Sequence, residues 1–144
     1  MTEVEFHTGV ADSVGFACRL LRKACRQGAR VLVTAPRETL AELDRVLWTF
    51  EAREFLPHVR MPGGKPEVAA RTPIWLAGEA GLPGAPDVVV NLGADAPADP
   101  GALQRLIEVV AVEPDEAERG RDRWRVYKAA GLDIRHHAAG AARE

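Results

Sequence analysis

The chain has 144 residues, 19 Lys and Arg against 21 Asp and Glu, and a formal net charge of −2. That length suits one domain, and the charge balance disfavours gripping nucleic-acid phosphates over a broad surface, although a local basic patch stays open. Hydrophobic residues at 47% and charged residues at 28% are ordinary globular values, and no apolar run approaches the ~20 residues of a membrane helix. The acidic start Met1-Thr2-Glu3-Val4-Glu5 has no apolar stretch of signal-peptide length, so a cytoplasmic location is expected.

In chain order, Val4-Glu5-Phe6-His7 alternates apolar and polar side chains and leads into Thr8-Gly9, which predicts a short first strand and a turn. From Ser13 to Gln27, Val14, Ala17, Leu20, Leu21 and Ala24 form one apolar arc, with Asp12 or Ser13 to cap the helix start and Gly28 its end. The opposite face carries Arg19, Arg22, Lys23 and Arg26, a stripe that fits a solvated face better than a binding site. Ala29 to Thr34 is a short run rich in β-branched residues, the pattern of a strand buried on both faces. Pro36 opens a second helix whose buried seam is Leu40, Leu43, Val46, Leu47 and Phe50, within an arc of about 120°. Residues 60–72, rich in Pro and Gly, read as a loop. Ile74-Trp75-Leu76 and Asp87 to Leu92 read as strands, Leu103 to Leu106 as a short helix, and Ile107 to Val112 as another strand. Asp115 and Glu116 begin a last helix that should run to Ala130 and stop at Gly131, and residues 136–144 are expected to be a poorly ordered tail. Alternating strands and helices point to a single α/β layered domain over residues 1–135 with a largely parallel sheet.

Such a fold invites a nucleotide, but the turn that would deliver backbone N–H groups to phosphates is missing. Thr8-Gly9-Val10-Ala11-Asp12 has one glycine and an acid, and Gly63-Gly64-Lys65 lacks the spacing and is flanked by prolines. The only serine, Ser13, is best used as a cap, so no nucleophile with a base in reach is visible. Cys18 and Cys25 lie seven apart on one helix, about 10 Å, too far for a disulfide, and read as small buried apolar residues. Of the histidines, His58 reads as fixing a turn, and the adjacent His136 and His137 would point apart if extended, so neither a metal nor a cofactor is expected.

Two stretches invite a docking role. On the last helix Ala117, Gly120, Trp124 and Tyr127 share one arc, with Arg121, Arg125 and Lys128 along its edge. That pairing of aromatics with fixed positive charge suits an acidic and apolar peptide, and equally a core-facing stripe with a solvated basic rim. Trp48 falls outside the second helix's buried arc, and with Phe55 and Pro57 it either caps the core locally or forms an apolar partner surface.

Leu43-Asp44-x-x-Leu47-Trp48 followed by Phe55-x-Pro57-His58, the strand ending in Asn91-Leu92, Glu108-Val109-Val110, and the Arg123-Trp124-Arg125-x-Tyr127-Lys128-x-Ala130-Gly131 helix end together resemble the chi subunit family of bacterial DNA polymerase III. The resemblance covers most of the chain and implies a three-layer Rossmann-like sandwich without a nucleotide-binding loop and without catalytic activity. It implies an accessory subunit that links the clamp loader, through the psi subunit, to the acidic C-terminal tail of single-stranded DNA-binding protein, touching DNA only indirectly. By motif position the tail-binding residues would be Arg121, Trp124 and Arg125, with Tyr127 and Lys128 beside them; Trp48, Phe55 and Pro57 are candidates for the psi or clamp-loader contact. Glu113 stands where the family often carries an apolar residue, and a carboxylate there would repel an acidic tail. A Rossmann-type nucleotide-binding enzyme and a direct single-stranded nucleic-acid binder using the Arg19 to Arg26 stripe are the alternatives.

Overall fold

The computed structural model describes residues 2–49 and 55–139. Seven strands, β1 (Glu3–Val10), β2 (Val31–Thr34), β3 (His58–Arg60), β4 (Ile74–Ala77), β5 (Val88–Asn91), β6 (Arg105–Ala111) and β7 (Ile134–Ala138), form one sheet in the order β3-β4-β2-β5-β6-β1-β7. Every pairing is parallel. The central strands are buried on both faces because helices cover both, which is why Val31-Leu32-Val33 is an unbroken apolar run. Helices α1 (Ser13–Arg26) and α2 (Arg37–Leu47) pack Ala17, Cys18, Leu21, Leu40, Leu43 and Leu47 on one face; α3 (Pro66–Arg71) and α4 (Pro114–Ala129) place Ala69 and Tyr127 against the other. The result is a three-layer Rossmann-like sandwich. Among the described residues no helix is long and apolar enough to cross a membrane.

The caps fall where the residue chemistry puts them. Asp12 accepts a hydrogen bond from Gly15 N at 3.0 Å at the start of α1, and Gly28 and Gly131 take positive φ just past α1 and α4. Leu40, Leu43 and Leu47 are buried as the apolar seam requires and Val46 packs partly; Phe50 lies outside the described residues.

Several expectations need correction. The first strand does not end at a Thr8-Gly9 turn: Gly9, at φ +66°, lets the chain pass through an irregularity in the β1–β6 register and continue to Val10. Residues 60–72 are not all loop. His58–Arg60 is an edge strand on β4, and Pro66–Arg71 is a helix of six residues, too short to show periodicity. The Trp75 indole N–H donates to Ala69 O at 2.9 Å and the Thr72 hydroxyl to Val68 O at 2.7 Å, which holds that helix in place. Leu103 to Leu106 is not helical either. A 3-10 turn covers Pro100–Ala102, and Arg105 and Leu106 already pair with Val88 and Val89 of β5. Residues 136–138, expected in the tail, belong to β7, which pairs with β1 from Val4↔Ile134 to Thr8↔Ala138. The sequence pattern there was obscured because β7 is an edge strand with four of its five residues exposed.

Cys18 is completely buried, and burial pushes its thiol up to about 11. At pH 8 only about one Cys18 thiol in a thousand is then ionised. In a thiol-reagent titration of the native protein Cys18 should stay unmodified until denaturant is added; rapid native modification at Cys18 would show that α1 does not pack as described.

Candidate functional site

The face of the sheet under α4 carries a buried polar cluster. Glu108 points from β6 toward α4, where Arg123 Nε donates to it at 2.9 Å and the Tyr127 hydroxyl donates to its other oxygen. Asn91 of β5 donates to that same oxygen at 3.0 Å and to Ala94 O at 2.9 Å, while its own oxygen accepts from Ala94 N. Glu108 and Tyr127 are each 0% exposed. Burial pushes the Glu108 carboxyl up, opposed by Arg123, Tyr127 and Asn91, and pushes the Tyr127 hydroxyl up with the help of the adjacent carboxylate. These bonds fasten α4 to β5 and β6 and set which helix face turns outward.

Beside this cluster a cavity of about 500 Å³ opens toward the β1 and β7 edge. Its floor is Phe6 of β1 and Val110 of β6; Gly120 and Trp124 of α4 form one wall, and Thr8 and His136 close the far end. The Trp124 ring leans on Phe6 at 4.9 Å between centroids and meets the His136 ring edge-on at 5.5 Å, while Thr8 Oγ1 and His136 Nε2 are 2.7 Å apart. Gly120 is what allows this closeness: a Cβ there would lie 2.8 Å from a Val110 methyl. Arg121 and Arg125 stand on the rim.

The four arginines of α4 are not equivalent. Arg119 is 3.4 Å from Glu116, Arg125 is 2.7 Å from Asp122, and Arg123 is sunk on Glu108. Arg121 has no carboxylate partner among the described residues, so it is the cation most available to a ligand. The exposed Arg125–Asp122 pair is held weakly in water and can be exchanged for another carboxylate.

Arg121, Trp124 and Arg125 are therefore brought together at one cavity, as the helix spacing implied. Tyr127 is not part of its lining: it is wholly buried and spends its hydroxyl on Glu108. Lys128 is exposed on α4 away from the cavity, and Glu113, exposed at the helix start, does not line it. Phe6, Thr8, Val110 and His136 complete the lining, and no local sequence motif marks them. Phe6 and Thr8 share a strand face by alternation, which the sequence shows, but which helix covers that face and that β7 lies alongside are tertiary facts.

At the opposite edge of the molecule Trp48 is 63% and Phe55 54% exposed, with their rings stacked at 5.0 Å and 26°. Pro57 is exposed beside them. His58 is turned inward, with its Nδ1 2.7 Å from Leu56 O and its Nε2 3.0 Å from Asp44 Oδ1, so it braces the turn that presents the pair.

The architecture defines a Rossmann-like α/β sandwich whose first strand–helix turn, Thr8 to Asp12, carries no glycine-rich phosphate pattern and whose α4 face holds an apolar cavity rimmed by arginine. The model of the family described as DNA polymerase III chi subunit, HolC, matches residues 1–135. The DNA polymerase III subunit chi of Pseudomonas aeruginosa is 34% identical over 146 aligned positions, covering 95% of this chain and 96% of that protein. The corresponding subunit of Escherichia coli strain K12 is 26% identical over 128 positions, covering 88% and 85%. The chain belongs to the chi subunit family of DNA polymerase III, a family of the DNA replication machinery.

Proposed function

We propose that this chain is a non-catalytic adaptor of the replicase, holding the acidic C-terminal tail of single-stranded DNA-binding protein in the α4 cavity and meeting the clamp loader, through psi, at the Trp48, Phe55 and Pro57 surface. The observation that carries the reading is the juxtaposition of an apolar cavity with a guanidinium, Arg121, that has no carboxylate partner among the described residues. An acidic peptide ending in an apolar side chain matches both parts: the side chain enters between Phe6, Val110 and Trp124, and its carboxylates meet Arg121 and displace Asp122 from Arg125. The stacked, exposed Trp48 and Phe55 supply the kind of aromatic anchor that protein interfaces are built around, held at a fixed angle by His58.

The test is a titration of the full chain with a labelled peptide copying the tail of the cognate single-stranded DNA-binding protein. Saturable micromolar binding is expected, weakened at least about tenfold by Arg121→Ala. It should also weaken when the last tail residues are removed, and with salt, since exposed charge pairs are screened over ~8 to 10 Å. Binding that ignores Arg121→Ala, or none at low salt, would reject the assignment of the tail to this cavity. Retention of the free chain on single-stranded DNA without a protein partner would favour direct nucleic-acid binding instead.

A further inference from the structure

The β1–β7 pairing brings His137 beside two side chains of the first strand, Glu5 and His7, from which the sequence keeps it 130 and more residues away. Glu5 and His7 project from β1 toward α1, and His137 sits opposite His7 in the register, on the same face. His7 Nε2 is 3.3 Å from Glu5 Oε2, the two imidazoles stack at 4.9 Å and 15°, and one ligand atom from each of the three residues lies within 4.8 Å of the others. His136, one residue away, faces the opposite side of the sheet and takes part in the α4 cavity, so the two adjacent histidines serve different faces.

We propose that Glu5, His7 and His137 form a binding site for a divalent transition-metal cation of the zinc type, which ties the edge strand β7 to β1. Around a metal with ligand bonds of about 2.0–2.2 Å, tetrahedral ligand atoms stand about 3.3–3.6 Å apart, and the 3.3 Å between His7 Nε2 and Glu5 Oε2 falls at the short end of that range. His137 is exposed, so its ring can turn to bring a nitrogen to the third position, leaving a fourth for water. Arg105 donates to the other oxygen of Glu5 at 2.6 Å, and Phe16 packs on the His7 ring at 5.1 Å, so the carboxylate and one imidazole are oriented by neighbours in the way metal ligands usually are. Two imidazoles and one carboxylate select borderline transition metals over magnesium or calcium. The charges of Arg105, and of Arg19 and Lys23 across the neighbouring cleft, oppose a cation, so the site should bind with modest affinity.

The experiment is a zinc titration of the untagged full chain in competition with a chromophoric chelator, with and without excess magnesium. One equivalent of zinc should bind, unaffected by magnesium, and His137→Ala and His7→Phe should each weaken it at least about tenfold. His137→Ala changes an exposed side chain and His7→Phe preserves the ring packing on Phe16, so both variants should keep their circular dichroism spectra. Zinc should raise the thermal midpoint of the parent protein and leave that of His137→Ala unchanged. No saturable zinc binding, or binding equal in parent and variants, overturns the proposal.

Discussion

Replacing Arg123 with methionine should lower the stability of this protein by roughly 3–5 kcal/mol, the usual result of leaving one member of a buried ion pair without its partner. Glu108 is 0% exposed and Arg123 6%, so water cannot take the place of the guanidinium. The pair is also imperfect: Arg123 Nη2 is buried with no hydrogen-bond partner among the described residues. Removing the charge from both ends should therefore be milder than removing it from one, and Arg123→Met with Glu108→Gln should recover part of the loss in urea unfolding. The loss should depend on pH with a definite sign. Burial raises the Glu108 carboxyl above its unfolded value near 4.5, and Arg123 is the main opposing influence. Without Arg123 the folded state holds the Glu108 proton where the unfolded state has released it. The variant's stability then falls as pH rises above the unfolded value and through the raised folded one, so its deficit should be smallest near pH 5 and grow toward neutrality. A deficit of less than about 1 kcal/mol at pH 7 would mean that the pair is not what fastens α4.

A second large effect is expected at Gly120. Here α4 approaches β6 so closely that a Cβ would lie 2.8 and 2.9 Å from the two Val110 methyls. Valine has one preferred rotamer in a helix and cannot swing away, so Gly120→Val should force the helix outward and cost roughly 2–3 kcal/mol. Gly120→Ala should be milder, because the gain in helix propensity of about 1 kcal/mol offsets part of the clash. The same outward shift would separate Trp124 from Phe6 and open the cavity, so tail-peptide binding should fall alongside stability. Adding Val110→Ala should relieve Gly120→Val while destabilising the parent, a coupling that a double-mutant cycle measures directly. Equal stability of Gly120→Val and parent would show that α4 has room to spare over β6.

The two predictions meet in one device. The Glu108 cluster pulls α4 down at Arg123 and Tyr127, and Gly120 allows the next turn to follow, so the helix lies low over the sheet. Trp124 is then trapped between the helix and Phe6, and Arg121 and Arg125 are left on the rim. The arginine that looks most like its neighbours in the sequence, Arg123, is the one withdrawn from the surface.

The residues alone determined much of this. The apolar run 31–34, the seam of Leu40, Leu43 and Leu47, the caps at Asp12, Gly28 and Gly131, and the absent phosphate turn follow from periodicity and backbone chemistry that act within a few residues. The proximity of Arg121, Trp124 and Arg125 was legible for the same reason: neighbours on a helix face are fixed by its 100° rotation per residue. What lay beyond the sequence depends on partners distant along the chain. Helix α3 exists because Trp75 holds Ala69, and β6 begins at Arg105 because Asp87 and β5 receive it. Tyr127 and Lys128 look alike as rim candidates until Glu108, nineteen residues before Tyr127, claims its hydroxyl. Above all, β7 is a strand only because β1 offers a free edge. That pairing, which no local pattern in Ile134 to Ala138 requires, places His136 in the α4 cavity and His137 beside His7 and Glu5.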